Sequence, residues 1–291
     1  RKNLIDNTNP SPNLATGDMA FSGSESEWAT NGWFGRINYD YMGKYLIELN
    51  GRYDGSSKFP KGDRYAFFPS GSVAWRMSEE KFWEPLKTWW DYAKIRASYG
   101  SLGNQAVSGN FPYLATYGVN TKYGALLGGS LPVSVSAPGL VSASLTWETV
   151  NQFNIGADFS FLKSRLNASF DWYRRDTKNM LTSGQALPAV LGASVPRENA
   201  ANMKTTGWEL SIEWNDRLSN GFGYHVKGVL SDYQSEITKF TNPTGTLNTY
   251  YVGRKLGEIW GLTSYGLLRP TRRLPLPTNH ISLALNGRQA T

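Results

Sequence analysis

Between Gly32 and Asp54 apolar and polar side chains alternate almost without interruption, and that alternation restricts the fold more than any other feature of the chain. Trp33, Ile37, Tyr39 and Tyr41 share one face of the first segment, opposite Phe34, Arg36, Asn38 and Asp40. After Met42-Gly43-Lys44 the pattern resumes, with Tyr45, Ile47, Leu49 and Tyr53 opposite Leu46, Glu48, Asn50, Arg52 and Asp54. A period of two is the period of a strand, so the segment reads as a hairpin with a tight turn. A soluble sandwich also alternates. Here the strands are long, aromatics stand near both ends of the apolar face, and ions of both signs occupy the other face. A membrane barrel requires those features together, and from this hairpin alone both environments stay open.

Composition narrows the choice without settling it. Aromatics make up 14% of the 291 residues and charged residues only 18%, a balance suited to surfaces that are half apolar and half wet. No run approaches the ~18 apolar residues of a membrane helix, which leaves barrel strands unaffected. The chain has no cysteine, which removes disulfides and thiolate chemistry. Its opening, RKNLIDNTNP, does not read as a secretory signal. The net charge is +7, but Arg269, Arg272, Arg273 and Arg288 stand in an end stretch without acids, and without them it is +3. That is too little for a nucleic-acid footprint.

Residues 1–31 read as a loop leading into the first strand. Further strands are expected at Pro69–Met77, Asp91–Leu102, Glu148–Phe161, Leu166–Arg175, Gly207–Asn215 and Phe222–Ser231, about nine in all with weaker candidates. Ser78–Trp90 reads as a short helical turn limited by Pro85. Long connections fall near 55–68, 103–146, 176–206 and 232–256, and they alternate with shorter ones. Strands are therefore joined tightly at one end of the sheet and loosely at the other, the asymmetry of an up-and-down outer-membrane meander. The stretch 103–146 fits that scheme if it holds no strand or an even number.

Six phrases, in order, resemble the SusC/RagA-like branch of TonB-dependent outer-membrane transporters. They are FGRINYDYMGKYLIELNGRYDGSSKF, YAFFPSGSVAWRMSEEKF, WWDYAKIRASYGSLGNQ, LTWETVNQFNIGADFSFLKSRL, TTGWELSIEW and LGEIWGLTSYGLL, and together they span most of residues 20–268. The resemblance implies an all-β fold, with residues 32–268 an antiparallel segment of a large barrel of roughly 22 strands around a plug. It implies a cell outer-membrane location and import of glycan or peptide fragments. It also implies that the full-length parent works with TonB and a SusD-like lipoprotein. Nothing here resembles the plug or the TonB-contacting segment, so the chain reads as a slice of barrel wall touching outer-membrane lipid. Two rival readings are a diffusion porin wall and a secreted soluble glycan-binding β protein.

No catalytic constellation, metal site or cofactor site emerges, and the chain reads as a non-enzyme. Glu79 and Glu80 are adjacent and do not converge on one bond; they read as a solvated helix start. His225 and His280 are too few for a metal site. Trp75, Trp172, Trp208 and Trp214 could stack on sugars, but all four fall on the apolar strand face, where membrane contact is expected. Ligand contacts are sought on the opposite face: Arg36, Glu48, Arg52, Asp54, Lys94, Arg96, Asp158, Asp171 and Glu209. Cross-strand ion pairing in a hydrated lumen is the competing role for each.

Residues 269–291 turn to Arg, Pro and Leu without any acid. This atypical tail suggests a reading-frame slip or an assembly error. Resequencing the coding DNA across residues 266–270 should reveal a frame discrepancy; an unambiguous in-frame reading would end that explanation.

Overall fold

The computed structural model describes residues 25–120, 129, 133–142, 145–185 and 187–261. Most of the loop expected at 1–31, the end of the resemblance beyond Gly261 and the atypical tail lie outside the described residues.

Among the described residues eight strands form one antiparallel sheet, each bonded to its sequence neighbours within it. They are β1 (Thr30–Tyr41), β2 (Tyr45–Ser56), β3 (Tyr65–Arg76), β4 (Trp90–Asn104), β7 (Glu148–Phe161), β8 (Leu166–Ser183), β9 (Arg197–Arg217) and β10 (Gly223–Lys239). Between β4 and β7 a separate pair, β5 (Gly118–Asn120) and β6 (Ser134–Ser136), closes on itself. The stretch 103–146 thus adds an even number of strands among the described residues, and β4 pairs directly with β7. The sheet is an open meander. Among the described residues β1 has no neighbour on its outer side, and β10 is met there only by residues 253–256, which bond to Ser235 and Ile237.

Tight turns join the strands at one end. Met42 and Gly43 both take positive φ (57° and 67°), and the Lys44 amide donates to the Tyr41 carbonyl at 3.0 Å. Gly43 makes the second of these positions free of the Cβ clash that L residues suffer there. At the β7–β8 turn Leu162, Lys163 and Ser164 all take positive φ without a glycine. That strain is held by outside bonds: the Leu162 amide to the Trp89 carbonyl (2.9 Å) and the Ser164 amide to Asp91 Oδ2 (2.8 Å).

Several strands run past the expected limits. β3 begins at Tyr65, inside the region 55–68 read as loop. Pro69 looked like a strand start, yet it pairs only with Gly51 of β2, because the ladder to β4 begins at Ser70 and no N–H is missed. β8 continues to Ser183 and β9 starts at Arg197, both within 176–206, while β10 reaches Lys239, within 232–256. The alternation fades there for a physical reason. On the apolar face of β8, Leu166, Ala168, Phe170 and Trp172 give way to Arg174, which pairs with Asp176 at 3.0 Å. On β9 and β10 the corresponding step is Lys204 with Glu236 at 3.4 Å. Where both faces meet water, nothing enforces a period of two. At ~3.4 Å per residue β9 is on the order of 70 Å long, far beyond the ~25 Å apolar band of a membrane barrel.

Within the band the apolar face is bare. Trp33, Ile47, Phe170 and Ile212 expose 57%, 41%, 42% and 45% of their surface, and among the described residues no second layer lies over them. Leaving one such side chain half in water forgoes about half of the roughly 1.5–3 kcal/mol that full burial gives, and the loss repeats over the whole sheet. Hydrocarbon removes it. Aromatics gather at both borders: Trp33, Tyr53 and Tyr65 stack at 5.3–6.3 Å near the loop end, and Trp89, Trp90 and Phe161 at 5.2–6.0 Å near the turn end.

Neighbouring residues should therefore respond oppositely to the same charge. In the barrel that carries this wall, Phe170→Arg should cost about 2–4 kcal/mol, whereas Ser169→Arg, on the polar face, should be close to neutral. Reversible unfolding in lipid vesicles measures both; equal penalties would contradict the assignment of faces.

Candidate functional site

Over the membrane band the ion pairs of the strands lie on the polar face. Its centre is Arg96 on β4. The Arg96 guanidinium donates through Nε to Asp158 Oδ2 at 3.1 Å, and through Nη1 and Nη2 to Asp171 at 2.7 and 2.6 Å. Lys94 Nζ reaches Asp158 at 3.1 Å, so two cations and two acids form one network across β4, β7 and β8. Arg96 and Asp171 lie on strands that do not touch. Between them in the register stands Gly156, where a Cβ would fall 2.6 Å from Asp171 Oδ1 and 2.7 Å from Arg96 Cζ. The missing side chain is the passage through which the bidentate pair forms.

The remaining expected site residues separate into smaller groups. Arg36 Nε donates to Asn50 Oδ1 (2.7 Å) and lies 3.9 Å from Glu48, which Asn50 also contacts at 2.8 Å. Arg52 pairs with Asp54 at 3.0 Å on the same strand. Glu209 sits opposite Asp171 in the register and, among the described residues, has no hydrogen bond or ion pair. Eight of the nine residues thus engage one another or a wall amide, and Glu209 alone presents an unpaired charge. Arg175, donating to Gln152 (3.3 Å) with its guanidinium over the Tyr173 ring, extends the same face toward the loop end. Sequence reading passed over this pair, although their alternation with Trp172 and Arg174 places them on the polar side.

The loop end holds the one apolar core cluster found among the described residues. Phe59, Phe68, Leu145 and Trp147 are all at most 5% exposed and pack with Ala66, Val107 and Leu181. Trp147 Nε1 donates to the Arg64 carbonyl (3.0 Å), and Arg64 Nε donates to the Phe59 carbonyl (3.2 Å). Asn199 on β9 adds a clasp: Nδ2 donates to the carbonyls of Thr146 (3.0 Å) and Asn179 (2.7 Å). Phe68 is paired in register with Arg52, so this cluster covers the polar face and not the apolar one. Beside it a cleft of about 200 Å³ is lined by Val107, Pro112, Leu140, Val141, Leu145 and Leu181. The signal for it was faint: large aromatic residues in stretches otherwise rich in Gly, Ser and Pro.

At the turn end Glu80 departs from the solvated role expected for it. It accepts from Lys44 (3.0 Å), Tyr45 Oη (2.9 Å) and Trp75 Nε1 (3.4 Å). The Lys44 hydrogen bond, then that of Tyr45, holds its carboxyl below the ordinary value of 4.5. A carboxyl lowered in this way keeps its clasp above that range and loses it as pH falls through the lowered value.

This two-faced open meander agrees with what sequence comparison finds. The family model described as TonB dependent receptor-like, beta-barrel matches residues 2–278. The chain belongs to that family. Its members are outer-membrane receptors and transporters and not enzymes. Among curated relatives, TonB-dependent receptor P26 of Formosa agariphila is 32% identical over 81% of this chain and 22% of its own length. TonB-dependent receptor SusC of Bacteroides thetaiotaomicron is 32% identical over 76% of this chain and 22% of its own. Among solved structures, the RagAB peptide importer in the "closed-closed" state superposes with a TM-score of 0.68 at 26% identity, covering 82% of this chain and 27% of that one. The chain therefore spans about a quarter of the length of these relatives. In a TonB-dependent barrel the bare apolar face is the lipid face.

Gly156 should be coupled to the charges it admits. Gly156→Val should destabilise the full barrel by about 1–3 kcal/mol, as a bidentate pair is broken and its acid left unpaired. In an Arg96→Met background the added penalty should shrink to a few tenths, because the pair is already gone. A double-mutant cycle on unfolding in vesicles gives the coupling; strictly additive penalties would show that Gly156 serves something else.

Proposed function

We propose that this chain forms part of the wall of an outer-membrane importer of oligomeric nutrients, glycan or peptide fragments. The observation that carries this reading is the division of one sheet into a bare lipid face and a polar face whose charges, Glu209 excepted, are mostly paired within the wall. A closed backbone ladder satisfies the amides in hydrocarbon, and the paired charges keep the passage wetted without an ion trap. The covered loop end, with its apolar core over the polar face, is where cargo would first be met. Energy would come through TonB, and a SusD-like lipoprotein would attend the outer mouth, both acting on the full-length parent. Support for the partnered arrangement comes from the likeness to RagAB, described as a peptide importer.

A diffusion porin would share the two-faced wall but need no energy, which gives the test. Deleting the gene that carries this segment should abolish growth on one class of oligomer, glycan or peptide, and leave growth on its monomers unchanged. Uptake of the same oligomer should stop when the inner-membrane proton gradient is collapsed. Undiminished uptake after that collapse would replace the importer with a passive pore.

A further inference from the structure

The connection between β3 and β4 differs from the other links at the turn end. Met77–Glu79 and Lys81–Leu86 form two short 3-10 turns that fold back over the end of the apolar face. Three sets of contacts fix that side. Glu80 bonds to Tyr45 and Trp75, both apolar-face residues. Phe82 meets the Trp75 ring at 6.4 Å. Trp83, 4% exposed, lies edge-on to Trp90 at 4.5 Å, and Trp90 in turn rests on Phe159 and Phe161 at 5.5 and 5.2 Å.

The connection is also pinned to both neighbouring turns. Lys44 holds Glu80, Arg76 Nη1 donates to the Gly43 carbonyl (3.2 Å), and the Trp89 carbonyl accepts from Leu162. A segment tied this firmly still leaves Phe82 60% and Trp89 49% exposed. Trp83 of the same segment is buried, whereas Phe82 and Trp89 each touch a wall ring, Trp75 and Phe161, on one side and leave the rest of their surface open. Within Met77–Trp90 the exposed charges are Glu79, Lys81, Glu84 and Lys87, two of each sign.

We propose that Met77–Trp90 is a membrane-surface foot, seated in the headgroup layer of the periplasmic leaflet, with Phe82 and Trp89 inserted at the headgroup–acyl boundary. The occupant is phospholipid and not a protein, because the foot is continuous with the lipid face through Trp75, Trp90 and Phe161. Aromatic side chains, tryptophan above all, favour that boundary. Balanced charges match a zwitterionic headgroup and offer no net attraction to an anionic one. The foot fixes the height of the wall in the bilayer at a point where two strands would otherwise be joined by a mobile linker. This inference rests on the wall reading above.

Spin labels on introduced cysteines in the full transporter, reconstituted in phosphatidylcholine nanodiscs, test it. Labels at Phe82→Cys and Trp89→Cys should be relaxed more by oxygen than by a water-soluble nickel chelate, at a depth shallower than a label at Ile155→Cys in the wall. A label at Lys81→Cys, which leaves both aromatics in place, should report the headgroup level. Adding anionic phospholipid should leave these depths unchanged. Nickel-accessible labels at all three foot positions, with the Ile155 label still in lipid, would overturn the foot alone. Nickel access at Ile155 as well would overturn the wall reading with it. Depths that increase with anionic lipid would overturn the zwitterionic assignment.

Discussion

In hydrocarbon an unpaired amide has no water to turn to, so each strand must find a neighbour on both sides. That requirement shapes the whole sheet. It explains why β4 pairs with β7 across a long insertion instead of stopping at it, and why β5 and β6 pair with each other and stay out of the main ladder. It also explains the two edges. Among the described residues β1 ends the sheet with its outer amides unpaired, and β10 is met only near its loop end. A barrel supplies the missing partners by closing, and the family to which the chain belongs is built that way.

Solvent, more than propensity, decides which parts of this fold could be read from residues alone. Inside the bilayer one face must be apolar and the other polar, so β1, β2, β7 and the lower half of β8 announced themselves by period two. Past Trp172 the apolar face carries Arg174 and Asp176, the contrast vanishes, and the strand continues unseen to Ser183. The long arms of β9 and β10 were lost for the same reason. The 3-10 foot was legible as a short helical turn, but its placement on the lipid face was not. That placement depends on Trp83 packing on Trp90, and on Trp90 finding Phe159 and Phe161 some seventy residues on.

The polar site was legible by face and illegible by partner. Alternation put Arg96, Asp158, Asp171 and Glu209 on one side of the sheet, and the structure keeps them there. It could not say that Arg96 would reach over an intervening strand, since the permission comes from a glycine 60 positions away from it in sequence. Glu209, one register step beyond the network, was indistinguishable from its neighbours by composition. Only the folded sheet reveals that Arg96 is spent on the two aspartates and, among the described residues, leaves this acid without a cation.

Why a transport wall should neutralise its own charges follows from the medium behind it. Arg96 is about one-third exposed (32%), with water on one side and a lipid-backed sheet on the other. In such a setting charges attract more strongly than in bulk water. An unpaired guanidinium there would hold any passing anion, and a cargo that binds the conduit too well does not leave it. Pairing Arg96 with two acids, and Lys94 with one of them, gives a hydrated surface of low net charge. Oligomer capture then belongs at the loop end, where Phe59, Phe68, Leu145 and Trp147 hold the loops over the polar face. The division of labour is physical: the strands keep the passage wet and weakly binding, and shape-specific contact is left to loops that water, not lipid, surrounds.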